Sequence, residues 1–134
     1  GHCLLGQTNA CPEGVRRLLE EGEPQTLPDL IRRIGRQLFT THLHDNFGLR
    51  DDHQGAGLGY IDWRGVIPAI LETGYRGPLM MELTGRRCAA ARDVPEMRRL
   101  SLEKELIFAS SYLNYTLRQY EKSAAQHRRG EKEE

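Results

Sequence analysis

The chain has 134 residues, and its 19 basic and 19 acidic side chains cancel, so no bulk charge draws it to nucleic acid or to a membrane surface. The length suits one ordinary domain, and no apolar run approaches the ~20 residues that span a bilayer. There is no signal peptide, and three cysteines (Cys3, Cys11 and Cys88) lack metal-ligand spacing; both point to a reduced, cytoplasmic setting.

In chain order, Gly1 to Asn9 reads as the end of an element, and the absence of an opening methionine or preceding strand suggests missing upstream sequence. Pro12 to Glu21 is expected to be a short helix, with Pro12 in its first turn and Val15, Leu18 and Leu19 as its apolar stripe. Thr26 can cap a second helix, whose Leu27, Leu30, Ile31 and Ile34 recur at helical spacing and whose end Gly35 weakens. Gln37 to His44 is read as a strand. A loop of 17 positions follows, residues 45 to 61, a length often associated with function. Asp62 can cap a third helix with Val66, Ile67, Ile70 and Leu71 as its buried face, stopped by Gly74 with Tyr75 as the apolar contact. Leu79 to Leu83 reads as a second strand, apolar on both faces and ending at Glu82. Asp93, Pro95 and Glu96 open a long helix that carries Met97, Leu100, Leu106, Ile107, Tyr112, Leu113 and Leu117. It is expected to run to about Lys122, with a charged, disordered tail over 123–134.

Two strands joined by a crossover helix form a parallel pair. Such a pair is too small a sheet to stand alone, so the expectation is an α/β chain that belongs to a larger domain or completes its sheet with another chain.

Chemistry concentrates at the C-terminal ends of those strands. His42, His44, Asp45, Asp51, Asp52, His53 and Asp62 fall within about two dozen positions, and Glu82 closes the next strand. Imidazole and carboxylate are ligands for manganese, zinc, iron or cobalt. A divalent ion polarises a carbonyl, and an adjacent carboxylate can then move a proton at the neighbouring carbon. A carboxylate ending an apolar strand is costly without a partner, which singles out Glu82. Trp63, Met80 and Met81 read as packing residues.

The run His42-Leu43-His44-Asp45-Asn46, then Asp51-Asp52-His53, then Gly57-Leu58-Gly59-Tyr60-Ile61-Asp62-Trp63, then Gly74-Tyr75-Arg76-Gly77-Pro78-Leu79 with Glu82-Leu83, resembles the sugar phosphate isomerase/epimerase family. Its members are xylose isomerase-like TIM barrels related to the apurinic-site endonucleases. The resemblance covers residues 1 to about 120 and implies the C-terminal portion of a (β/α)8 barrel, about strands six to eight with their helices. Gly1-His2 resembles the end of an Asp-x-Gly-His motif on strand six.

The family holds one divalent metal ion (manganese, zinc, cobalt or magnesium) through a glutamate on strand five, an aspartate on strand six, a histidine on strand seven and a glutamate on strand eight. His44 and Glu82 match the last two, and the first two would lie upstream of Gly1. The implied reaction is isomerisation or epimerisation of a sugar or sugar phosphate by proton transfer through an enediolate, with Glu82 both ligand and acid/base. His2 matches a histidine that contacts substrate oxygen, and Arg50 stands where ketose epimerases place a substrate-binding arginine. His42, on the same face as His44, is a substrate contact, a support for the ligands or a further ligand. Asp51 and His53 resemble the Asp-x-His pair that binds metal in the endonucleases, and His53 can also face substrate.

Ala56 and Leu58 depart from the proline and glutamate common in that loop. Two rival readings follow: a metal-dependent phosphoesterase of the endonuclease type, or a non-catalytic barrel fragment. The expected partner is a small sugar, with no nucleic acid and no membrane. Self-association through the last helix is open.

Overall fold

The computed structural model describes residues 26–48, 51–84 and 93–130. The helix expected over Pro12 to Glu21, the three cysteines, His2 and Arg50 lie outside them.

Helix α1 spans Leu27–Ile34. Thr26 is its cap: the hydroxyl accepts the Asp29 N–H at 3.3 Å, and Pro28 suits the first turn because its missing N–H would have no partner there. Gly35 ends the helix at φ 54°, as the sequence implies. Leu30 and Ile31 are its buried residues, and Ile31 joins the core. Helix α2 spans Trp63–Glu72. Trp63, Val66, Ile67, Ala69 and Ile70 are all buried, and each large apolar side chain among them stabilises the fold by roughly 1.5–3 kcal/mol. Asp62 occupies the N-cap position, but its side chain makes no cap bond. Its backbone carbonyl accepts the Gly65 and Val66 N–H groups instead, at 3.1 and 2.9 Å. Gly74 at φ 86° stops the helix, and the buried Tyr75 returns its hydroxyl to the Pro78 carbonyl at 2.9 Å. Arg32 of α1 reaches Glu72 of α2 at 2.7 Å, and that bond leads the effects that raise the Arg32 guanidinium above its ordinary value.

Helix α3 spans Pro95–Gly130, continuing eight residues past the end expected at about Lys122. Glu105, Ala109, Leu113 and Thr116 are its buried residues, and they share one face because positions three or four apart stack on one side of a helix. Leu106 and Ile107, expected to pack, are exposed. No described helix is long and apolar enough to cross a membrane.

The α/β expectation is overturned. The described residues are helical and contain no strand. The segments expected as strands, 37–44 and 79–83, do run parallel, but they meet at a single bridge between Leu43 and Met81. Leu43 N–H donates to the Met80 carbonyl at 2.7 Å, and Glu82 N–H donates to Leu43 at 2.9 Å. Two features stop the ladder there. The Thr41 hydroxyl takes the Met80 N–H at 3.3 Å and donates to Pro78 at 3.2 Å, so a side chain replaces backbone pairing. The outer faces are also bare: Phe39 is 85% exposed and Met80 47%. A two-segment pair with one face open to solvent lies below the size at which a sheet is stable. The core therefore sits between α1, α2, α3 and the Leu43 segment, around Trp63, Ile67 and Ala109.

Candidate metal centre

The extended segment 38–46 delivers His42 and His44, with Leu43 turned into the core between them. Beyond it, Asp45 and Gln54 pair antiparallel: Asp45 N–H donates to Gln54 O at 2.6 Å and Gln54 N–H returns at 3.0 Å. That pairing closes the chain on itself and brings Asp51 and His53 back over His44. His53 has φ 47°, a left-handed conformation that costs a residue with a side chain about 1–2 kcal/mol. Thr84 N–H donates to the His53 carbonyl at 3.4 Å, tying this turn to the segment that carries Glu82.

The result is a compact cluster. His44 is fully buried, and its ring stacks on His53 with centroids 4.1 Å apart. Asp51 Oδ1 lies 3.2 Å from His53 Nδ1 and 3.8 Å from His44 Nε2. Ligand atoms of His44, Asp51 and His53 all fall within 4.8 Å of one another. Glu82 adjoins this trio through Oε2, which is 3.3 Å from His53 Nε2 and 3.1 Å from His42 Nδ1. Partial desolvation pushes the Glu82 carboxyl upward, but the positive potential of His53, His42 and His44 outweighs it and holds the group below its ordinary value. Two imidazoles and a carboxylate are an apt donor set for a divalent transition metal.

Of the residues singled out from the sequence, His42, His44, Asp51, His53 and Glu82 thus come together. Within the cluster, Glu82 is linked to His53 and His42, while the trio that can share one ion is His44, Asp51 and His53. Trp63 packs, being 1% exposed.

Two residues with structural consequence carry no role in the sequence reading. Asp45 is fully buried, and its carboxylate accepts four donors: Asn46 N–H at 2.9 Å and Ile61 N–H at 3.1 Å on Oδ1, Gly57 N–H at 3.0 Å and the Trp63 indole N–H at 2.8 Å on Oδ2. It organises the loop from 45 to 63 around one side chain. Glu105 of α3 is the other; its Oε1 accepts the Gly55 N–H at 2.5 Å. The available signal was a carboxylate on the same helical stripe as Ala109 and Leu113, which must find a donor if that stripe is buried.

The sequence matches the xylose isomerase-like TIM barrel family over residues 5–104, which include every member of this cluster. It is 45% identical over 60 residues to the uncharacterized protein y4fM of Sinorhizobium fredii, covering 45% of this chain and 19% of that one. It is 33% identical over 61 residues to the uncharacterized protein MJ1311 of Methanocaldococcus jannaschii, covering 46% of this chain and 21% of that one. The chain thus spans about a fifth of the length of these curated relatives. No solved structure matches it significantly. With the match running through three quarters of its residues, the chain belongs to the xylose isomerase-like TIM barrel family.

Proposed function

We propose that this chain supplies part of the metal-centred site of a sugar or sugar-phosphate isomerase or epimerase. The observation that carries the reading is the trio His44, Asp51 and His53 within 4.8 Å, with Glu82 against His53, in a chain of a family made up largely of enzymes. His44, Asp51 and His53 would hold a divalent ion, with Glu82 as a further ligand. Manganese, zinc, cobalt and magnesium are the candidates. When bound, the ion would polarise a substrate carbonyl.

The chain's own residues do the rest. Glu82 is partly exposed and held below the ordinary carboxylate range, so it is ionised and can accept a proton from the carbon beside that carbonyl. His42 bonds the same Oε2 and steadies the carboxylate, and it can relay the proton outward because it faces solvent. His53, close beside Glu82 and only slightly exposed, is placed to orient a substrate oxygen. The resemblance puts His2 and Arg50 at the substrate as well, and an aspartate and a glutamate of the metal shell upstream of Gly1. The substrate is a small soluble sugar, in keeping with a cytoplasmic setting.

The test is proton exchange in deuterated water. Ketoses and ketose phosphates are incubated with Mn2+, Co2+, Zn2+ or Mg2+ and the protein, both as this chain and extended upstream, and deuterium entry beside the carbonyl is followed by NMR. The expected result is exchange that requires metal and is lost in Glu82→Gln and His44→Ala. Metal binding without exchange on any ketose would overturn the isomerase reading.

A second reading is favoured by one observation, the 3.2 Å pairing of Asp51 with His53 inside the trio. A metal-dependent phosphoesterase would use it. Two or three zinc ions per protomer, with one lost in Asp51→Ala, together with phosphodiester cleavage would support that alternative.

A further inference from the structure

Glu105 stands on the middle of α3, outside the cluster, yet its carboxylate is buried in the interface with the loop that follows His53. Three contacts stitch that interface. Glu105 Oε1 accepts the Gly55 N–H at 2.5 Å. The Gly55 backbone lies so close to α3 that a Cβ there would meet Ala109 Cβ and Glu105 Cγ at 3.0 Å each. At Gly57 a Cβ would lie 2.7 Å from Cδ1 of the Tyr112 ring. Glu105, Ala109 and Tyr112 are four and three residues apart, so one face of α3 forms the floor under residues 55–57. Just upstream, Gln54 is pinned by its paired bonds to Asp45, and His53 holds its left-handed conformation. The chain between 53 and 57 is thus gripped from two sides, by Asp45 and by Glu105. The Glu105–Gly55 bond is the hydrogen bond by which α3 holds this turn, two residues from the His53 ring that stacks on His44.

We infer that Glu105 is a positioning residue: through the Gly55 N–H it holds the His53 turn in register with His44 and Asp51. The inference rests on the metal-centre reading for its consequence, but not for its geometry. It makes the long helix part of the site's support, and it predicts that the metal responds to a residue that never touches it. Loss of such an outer partner typically lowers metal affinity about 10- to 100-fold.

The experiment compares Glu105→Gln, which keeps an oxygen acceptor for Gly55, with Glu105→Leu, which removes it. Leu113→Ala serves as a control that destabilises the same helix face while leaving the Glu105–Gly55 bond intact. In the metal-free protein, the stacked imidazoles of His44 and His53 give ring-current-shifted NMR signals. These should move in Glu105→Leu, stay in place in Glu105→Gln, and stay in place in Leu113→Ala despite its lower melting temperature. Titration with Co2+, read by its d–d absorption, should show at least about a tenfold weaker affinity in Glu105→Leu and less than about a twofold change in Glu105→Gln.

Where Glu105→Leu does not fold, Gly55→Ala carries the test, since its methyl group pushes the same loop off α3 with Glu105 intact. Imidazole signals unmoved in Glu105→Leu or Gly55→Ala, or moved equally in Leu113→Ala, would overturn the positioning role. Failure of the unaltered protein to bind Co2+ would sink the metal-centre reading alone, because the imidazole signals decide the positioning claim without metal.

Discussion

Asp45 and Glu82 stand at the ends of two neighbouring extended segments, and their surroundings differ in nearly every respect. Asp45 is fully buried and has all its acceptor capacity matched by three backbone N–H groups and one indole N–H, none of which titrates. The Glu82 side chain is 39% exposed, and its close partners are imidazoles, which exchange protons themselves. A carboxylate surrounded by fixed donors organises the chain; one beside titratable rings at an open edge is available for chemistry. The contrast separates architecture from function among the acidic residues, which the sequence presents together as one cluster.

The sharpest way to break that contrast is to delete each carboxylate in turn. Asp45→Ala strands the buried N–H groups of Asn46 and Ile61 and the buried Trp63 indole N–H, each costing on the order of 1–3 kcal/mol when left without an acceptor. The expected loss is about 4 kcal/mol or more, enough that urea denaturation should find the variant largely unfolded. Glu82→Ala should lower the unfolding free energy from the same denaturation by less than about 0.5 kcal/mol while abolishing proton exchange. Equal losses in the two variants would erase the distinction. A finer cut is Trp63→Phe, which removes the donor to Oδ2, leaving that oxygen with Gly57 alone, and opens a small cavity in the core. About 2 kcal/mol should be lost, from the missing donor and the cavity together, measured by the same denaturation.

Much of the helical framework is legible in the sequence because its signals are local. The Thr26 cap, the Gly35 and Gly74 stops and the apolar spacing of α2 each depend on a few adjacent residues. The grouping of His42, His44, Asp51, His53 and Glu82 is legible for a different reason: their order and spacing match a family pattern. The sheet is not, because a strand is stabilised only by its neighbours, and Leu38 to Leu43 looks the same whether a ladder forms or a Thr41 hydroxyl interrupts it. The roles of Asp45 and Glu105 are hidden for a related reason. Both depend on contacts far apart in sequence, Asp45 with Trp63 and Glu105 with Gly55, that only the folded chain brings together.

The smallest expected effect tests the other side of the comparison, the coupling of Glu82 to its imidazoles. Its carboxyl sits below the ordinary value of 4.5, because the positive rings of His53, His42 and His44 overcome the upward push of partial burial. A group with a depressed folded-state pKa adds stability above its unfolded value and loses it as pH falls through the folded one. The native protein should therefore lose stability more steeply than Glu82→Gln, which has no carboxyl to protonate, as pH falls through and below the ordinary carboxylate value of 4.5. Solvent screening at this partly exposed site keeps the difference smaller than the effect of Trp63→Phe. High salt should shrink it further, whereas it should leave the Asp45 effects, which rest on buried hydrogen bonds, nearly unchanged. Thermal denaturation across that pH range at low and high ionic strength measures it. A pH profile identical in both proteins would mean that the imidazoles do not hold Glu82 in its charged form.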